Sequence, residues 1–470
     1  MERIFVSETV GKVGEEVLLK GWVNRRRDMG KLIFIDLRDR SGLIQVVFAP
    51  DNKELLASAN VLRSEFCVAI KGKINARPAK QVNPDMVTGT VEMLALELEV
   101  LNESKTPAFE VDKDTKLVGE ELRLKYRYLD LRSERMLKNL KLRDKVETFF
   151  RDYLHKKDFI EIETPYLTKG TPEGSREFLV PSRIHPGSMY VLPQSPQQFK
   201  QLLMVAGVER YFQVARCFRD EDQRGDRQPE FTQLDMELSF ASQEDILKLV
   251  EEMVLELVKT VAPEKKIQSA PFPRITYKDA MEKYGNDKPD FRADKADKNL
   301  LAFEWVVDFP MFEKADDGSI QAVHHPFTSP LPEDAHLLET EPLRARANAY
   351  DLVLNGNEVF GGSMRIHKRE LQNKVFQILG LDETTIRERF GHMLEAFEFG
   401  APPHGGIASG IDRMIMILAN EENIREVIPF PKTGDAKDLM MNAPAPMPDK
   451  ALDEVHIRLS QAAVRAQEKK

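Results

Sequence analysis

Between Phe218 and Phe240 the chain reads FRDEDQRGDRQPEFTQLDMELSF, a run of charge that passes into strict alternation at Phe231. Side chains alternate faces along a strand. Phe231, Gln233, Asp235 and Glu237 therefore share one face, while Leu234, Met236, Leu238 and Phe240 are expected to bury the other. A buried carboxylate needs a partner, because isolated buried charge is very costly. The polar face is either solvated, as one side of an antiparallel sheet often is, or it lines a cavity for a cation or a polar ligand. On the preceding segment, ERYFQVARCFRD, Arg219 shares its parity with Gln213 and Tyr211.

Other residues could also do chemistry. Asp351 and Glu358 flank an Asn-Gly turn and are oxygen ligands of the kind Mg2+ takes. The stretch GGIASG at 405–410 reads as a glycine-rich turn before a helix that carries Asp412 and Arg413. Such a turn lets backbone approach a ligand, and an arginine behind it can fork onto phosphate. A packing turn with a surface arginine fits the same letters. The glycines do not match GxGxxG, and no GxxxxGK[ST] occurs, so neither a dinucleotide fingerprint nor a P-loop is present. His324 and His325 are adjacent in an extended segment and should point opposite ways; with no HExxH, zinc is disfavoured.

Six segments stand in this order: TPEGS (171–175), QSPQQFKQ (194–201), FRDEDQRGDRQPEFTQLDME (218–237), HHPF (324–327), NEVFGGSMRIH (357–367) and GGIASGIDR (405–413). Together they resemble the class II aminoacyl-tRNA synthetases, specifically the bacterial aspartyl-tRNA synthetases. The stretch GWVNRRRDMGKLIFIDLRDRSGLIQVVF is similar to that family's anticodon-binding barrel. The resemblance implies ATP-dependent ligation of L-aspartate to tRNA(Asp) in two steps through an aspartyl-adenylate, with Mg2+ on the phosphates. Arg219 would hold the α-phosphate, Glu221 and Phe231 the adenine, and Arg413 the far end of the triphosphate, with Gly406 and Gly410 also at the ATP. Asp351 and Glu358 would hold the metal. Arg365, helped by Lys200, would grip the aspartate side chain. Asp235, Gln197, Ser195 and Glu173 would surround its ammonium, and Gln233, His324 and His325 would complete the pocket. In the barrel, Arg27, Phe34 and Gln45 would contact the anticodon, although Phe34 in LIFID also reads as a core residue. Pro165 would lie at a homodimer interface.

The elements that must position these residues divide the chain. Residues 1–105 hold five alternating segments, as in a five-stranded oligonucleotide-binding (OB) type barrel. Residues 106–135 read as a connector. Residues 136–470 mix strands and helices in an α+β catalytic domain, with an antiparallel sheet flanked by helices. FIEIETPYL reads as a strand, and Ser133 to Lys156 as a long helix. Only a short bridge, near 291–304, stands where bacterial relatives usually carry an insertion domain. Phe360 occupies a position where the family usually has glycine. It should either narrow the ATP or metal site or pack on the sheet.

Composition sets outer bounds. With 470 residues, 42% apolar and 31% charged, the chain is an ordinary multidomain globular protein. The net charge of −9 argues weakly against nucleic-acid binding, but the cluster Arg25-Arg26-Arg27 shows that local charge decides. Two distant cysteines fit a reducing compartment. Acidic residues stand where a signal peptide would have its apolar core, so a cytoplasmic location is expected. No run is apolar enough for a membrane helix. The alternatives are a relative that activates asparagine or lysine, and an inactive relative that binds RNA through the barrel. Arg365 with Lys200 favours a carboxylate substrate, and the intact Arg219, Glu358 and Arg413 favour activity. Loops around Met29 and Lys80 resemble the form restricted to tRNA(Asp).

Overall fold

The computed structural model describes residues 1–170, 174–223 and 225–468. Two compact units are present, Met1–Lys138 and Asn139–Lys470. In the first, strands β1 (Glu16–Asp28), β2 (Ile33–Asp39), β3 (Gly42–Phe48), β4 (Cys67–Ala76) and β5 (Val91–Asn102) close into a barrel of order β1-β2-β3-β5-β4. Alternation decides which side chains fill it: Ile33, Ile35 and Leu37 of β2 point inward, with Ile44, Val46 and Phe48 of β3. Helix α1 (Lys53–Asn60), capped by the Asn52 side chain on the Leu55 amide, packs Leu55 and Ala59 on this core. The segment after β5 gathers short helices around the buried Asp130 carboxylate, which Arg127 meets at 2.6 Å and Thr115 at 2.5 Å.

The second unit is built on an eight-stranded sheet. Its strands are β6 (Ile160–Glu161), β7 (Arg210–Phe218), β8 (Glu230–Ser239), β9 (Arg274–Thr276), β10 (Phe303–Val307), β11 (Ala349–Leu354), β12 (Asn357–Met364) and β13 (His404–Gly410). The order is β9-β10-β11-β12-β13-β8-β7-β6. The sheet is mixed rather than purely antiparallel, because β9 with β10 and β6 with β7 pair in parallel. Both edge pairs are joined by long crossovers, and a hairpin cannot make a parallel pair. Of FIEIETPYL only Ile160–Glu161 is strand, ending short of Pro165, which has no N–H for a ladder.

One face of this sheet is covered. Helix α2 (Glu134–Lys156) brings Val146, Phe150 and Leu154 to a core shared with Leu234, Met236 and Leu238 of β8. Helix α4 (Gln243–Val261) adds Ile246, Val250, Met253, Val254 and Leu257, and opens on a capping box between Ser242 and Asp245. Between them in the chain, α3 (Gln197–Val205) carries buried polar residues instead. Phe240 departs from the expected pattern. It lies beyond the end of β8 with φ of 58° and is 71% exposed, since the chain must turn there to reach the Ser242 cap.

Two further expectations are corrected here. Residues 405–410 are not a turn but most of the central strand β13, with α5 (Ile411–Leu418) directly after it. Phe360 faces the core, 1% exposed, on the side of β12 opposite Gly361. It packs under the sheet and does not narrow the site. Phe360→Ala should therefore lower stability by about 3–5 kcal/mol, read from denaturant midpoints; an unchanged midpoint would contradict this placement.

Candidate active site

The open face of the sheet is set by register. Gln233, Asp235 and Glu237 of β8 stand opposite Gly410, Ala408 and Gly406 of β13, and opposite Ala215, Gln213 and Tyr211 of β7. On the other side of β13, Ser363 and Gly361 of β12 face Gly406 and Ala408, and Asp351 of β11 faces Gly361. Glu237, Asp235, Gln233, Gly361 and Asp351 thus lie on one surface. Two adjoining cavities open on it. The smaller is lined by Ser195, Gln197, Lys200, Asp235, His324, His325, Asp351 and Arg365, among others. The larger includes Glu221, Phe231, Gly410 and Arg413. Arg219, Gln233 and Glu358 line both.

At the floor of the smaller cavity, four buried charges interlock. Arg365 meets Glu237 through Nε–Oε1 at 3.0 Å and Nη2–Oε2 at 3.2 Å. Lys200 Nζ reaches Asp235 Oδ1 at 2.6 Å and Glu237 Oε2 at 3.2 Å. Burial pushes the Glu237 carboxyl up, but Arg365 and Lys200 outweigh it and hold it at about 2. Asp235 is paired directly with Lys200, with Arg365 acting on it from farther away. Burial wins there and raises its carboxyl despite Lys200, while its Oδ2 is buried without a hydrogen-bond partner. That oxygen is a ready acceptor for a ligand's donor. An added Cβ at Gly406 would stand 1.8 Å from Glu237 Oε2, so only glycine lets the carboxylate lie across β13. Gly406 lines neither cavity; it makes room for Glu237.

Both histidines line the smaller cavity, contrary to the expected divergence, because the chain bends at 323–324 and residue 325 is not in a strand. Arg365 Nη1 sits 2.5 Å from His325 Nε2 and donates to Ser363 Oγ. Burial, then Arg365, pushes His325 well below its usual range, and burial holds His324 at about 4, so both rings are neutral.

At the seam of the cavities, burial and the neighbouring Glu358 push the Asp351 carboxyl well above the usual range. Asp351 Oδ1 is buried and unpartnered. A Cβ on Gly361 would stand 3.0 Å from Glu358 Oε1 and 3.1 Å from Asp351 Oδ1, so its absence leaves a cradle between two carboxylates. No group of three or more metal-ligating side chains exists among the described residues. Two carboxylates suit Mg2+, which keeps waters and shares phosphate oxygens.

In the larger cavity the Arg219 guanidinium lies 5.0 Å from the centre of the Phe231 ring, a cation–π stack on a flat apolar platform. Glu221 accepts from Ser175 Oγ and pairs with Arg227 at 2.8 Å. Arg413 donates to the Glu358 carbonyl and meets Asp226 at 3.1 Å. Its neighbour Asp412 takes Arg143 of α2 at 2.5 Å and the Thr232 amide at 3.2 Å, fixing the start of α5. Glu173 lies outside the described residues. Reasoning from sequence missed Ser363, Gly361, Asp412, Gln201 and His404. Ser363, Gly361, Asp412 and Gln201 sit within the quoted segments, whereas His404 stands one residue before GGIASGIDR.

On the barrel, Arg27 stands opposite Phe34, and Asp36 opposite Gln45. Arg27 donates to Asp36 at 2.8 Å and to Gln45 at 3.2 Å. Phe34 is half-buried and lies on this outer face, not in the core with Ile33 and Ile35.

Glu237→Gln leaves Arg365 short of its charge partner and should cost about 3–5 kcal/mol at pH 7. With a folded value near 2 against an ordinary 4.5, Glu237 contributes stability above pH 4.5 that is lost as pH falls towards 2. The variant should therefore show a shallower acid dependence in that window, followed by circular dichroism. Parallel curves would refute the pairing.

A family model described as tRNA synthetases class II (D, K and N) matches residues 119–434, and one for the OB-fold nucleic acid binding domain matches 17–101. The aspartate-tRNA(Asp/Asn) ligase of Rubrobacter xylanophilus is 43% identical over 571 aligned positions, covering 95% of this chain and 95% of the relative. The aspartate-tRNA ligase of Geobacillus kaustophilus is 43% identical over 588, covering 97% and 99%. Both alignments exceed the 470 residues here, so these relatives carry residues that this chain lacks. The asparaginyl-tRNA synthetase from Pyrococcus horikoshii, solved with asparaginyl-adenylate, shares the fold with a TM-score of 0.75 at 22% identity, over 92% of this chain and 98% of that one. Matched across nearly its whole length, the chain belongs to the class II tRNA synthetases, in the bacterial aspartyl-tRNA synthetase family.

Proposed function

We propose that this chain activates L-aspartate with ATP and transfers it to tRNA(Asp) in the cytoplasm. The observation that carries the reading is the buried pair of cations, Arg365 and Lys200, on the floor of the smaller cavity. A side-chain carboxylate matches the arginine's planar fork and the ammonium beside it. An amide or amine would leave these donors unmatched. The substrate's own ammonium faces Asp235 Oδ2 and the Gln197 side chain.

With the amino acid in the smaller cavity and ATP in the larger, the reacting atoms meet where Arg219, Gln233 and Glu358 line both. The α-carboxylate oxygen attacks the α-phosphorus, the bond to the bridging oxygen breaks, and pyrophosphate leaves. A terminal ribose hydroxyl of the tRNA then attacks the acyl carbon and AMP is released. No side chain needs to be a nucleophile; positioning and charge stabilisation by Arg219 and Arg413 carry the chemistry. Phe231 supplies the stacking platform for adenine, with Glu221 and Gly410 at the same cavity. Asp351 and Glu358 would hold Mg2+, which when bound would neutralise charge on the phosphates. Arg27, Phe34 and Gln45 form a mixed aromatic and hydrogen-bonding patch of the kind that reads splayed bases.

The remaining partners follow from exposure and family. Ile160 and Leu167, 53% and 54% exposed, flank the exposed Pro165 beside the edge strand β6, and this apolar edge suits a homodimer interface. Among the relatives, one name includes both tRNA(Asp) and tRNA(Asn) and the other does not. The narrower range is assigned here, following the barrel loops. Residues 1–105 serve as the anticodon-binding domain and 136–470 as the catalytic domain, joined by 106–135.

Arg219→Ala should nearly abolish aspartate-dependent ATP–pyrophosphate exchange, with aspartate far outpacing asparagine and lysine in the parent protein. Near-normal exchange in the variant would sink the assignment. Labelled aspartate offered to separate tRNA(Asp) and tRNA(Asn) should charge the first only. Asp351→Asn should raise the Mg2+ concentration needed for half-maximal exchange; an unchanged requirement would move the metal elsewhere.

A further inference from the structure

Behind the smaller cavity runs a hydrogen-bond chain that the mechanism above does not use. Gln197 Nε2 donates to Gln201 Oε1 at 3.0 Å, one turn along α3. Gln201 Nε2 lies 3.1 Å from His404 Nε2, and His404 Nδ1 lies 2.8 Å from the Pro402 carbonyl oxygen. All three side chains are buried, Gln201 and His404 completely. Direction follows from chemistry. A carbonyl can only accept, so Nδ1 carries the proton. A neutral ring has one N–H, which makes Nε2 an acceptor. Gln201 must then turn its NH2 to the histidine and its oxygen to Gln197. Gln197 must turn its NH2 inward, which leaves its oxygen for the cavity.

We infer that His404 is a positioning residue for amino-acid recognition: through Gln201 it fixes the Gln197 amide so that an oxygen, and not an NH2, faces the substrate's α-ammonium. The inference rests on the reading of the smaller cavity as the amino-acid pocket. A side-chain amide rotated by half a turn costs little by itself, so without an anchor Gln197 would present donor or acceptor alike. The anchor is the Pro402 carbonyl, which has no proton to give. Burial pushes His404 below its ordinary value and favours the neutral ring, with Arg365 and His367 acting in the same direction and Glu237 and the Pro402 hydrogen bond against them. A protonated ring would donate from both nitrogens and reverse the chain.

The test separates ammonium recognition from general damage. Succinate is aspartate without its amino group, and it can be used as a competitive inhibitor of exchange. In His404→Phe, KM for aspartate should rise roughly tenfold or more, the loss expected for a hydrogen bond to a charged group. Inhibition by succinate and KM for ATP should stay within about twofold of the parent protein. His404→Gln, whose side-chain oxygen can replace the Nε2 acceptor, should restore much of the aspartate affinity. Gln201→Met should repeat the His404→Phe signature if the latter does not fold. Equal losses for aspartate and succinate, or no loss for aspartate, would overturn the relay. If the parent protein activates asparagine and not aspartate, the substrate reading falls separately, and asparagine against succinamate decides the relay in the same way.

Discussion

One carboxylate organises the catalytic unit. Glu237 lies flat across the backbone of Gly406, takes Arg365 on both oxygens and shares one of them with Lys200. Burying two cations side by side is prohibitive unless an anion stands between them, since each ion loses several kcal/mol of hydration. The same arrangement leaves each cation with donors to spare. The pocket floor is therefore both neutralised and still demanding of a carboxylate. It tolerates no Cβ at position 406 and no shift of register between β8 and β13, because a slip of one residue would exchange the charged face for Leu234, Met236 and Leu238.

The sheet divides labour between its faces. Beneath it, α2 and α4 pack an apolar core that fixes the strands in place. Above it, a row of odd-numbered residues on β8 runs from Glu237 and Asp235 through Gln233 to Phe231, so one strand spans both cavities. Charge follows the same gradient. The smaller cavity is a closed ion-pair cluster, the seam is two carboxylates around a cradle, and the far end is an aromatic platform bordered by arginines. A rigid floor of this kind suits a reaction whose catalysis is alignment of two ligands.

Much of this was legible from local pattern. Alternation in FTQLDMEL separated the polar face from the core before any coordinates, and the parity of the barrel strands did the same for Ile33, Ile35 and Leu37. The failures were of another kind. GGIASG reads as a turn because glycine is usually punctuation, yet within this strand Gly406 must admit the Glu237 carboxylate and Gly405 the Met364 side chain. Strand geometry sends His324 and His325 apart, but neither residue lies in a strand. Phe360 was ambiguous because a departure from a family pattern says nothing about which face a side chain takes. Phe240 continued the alternation on paper, but the chain had already turned towards its helix cap.

From the sequence alone came most of the elements, the family and the types of chemical group available, because periodicity and motif spacing are properties of neighbours along the chain. Which carboxylate would serve which cation was not among them. Glu237 and Arg365 are 128 residues apart, and Gln201 and His404 are 203 apart. Strand order and register, and for Gln201 the packing of α3 on the sheet, bring these residues within hydrogen-bond reach. Tertiary structure therefore decided that Glu237 is the keystone of the pocket, and that a buried histidine is linked through Gln201 to the Gln197 amide. Ionic and hydrogen-bonding roles depend on distances of about 3 Å, and no local pattern specifies those across such separations.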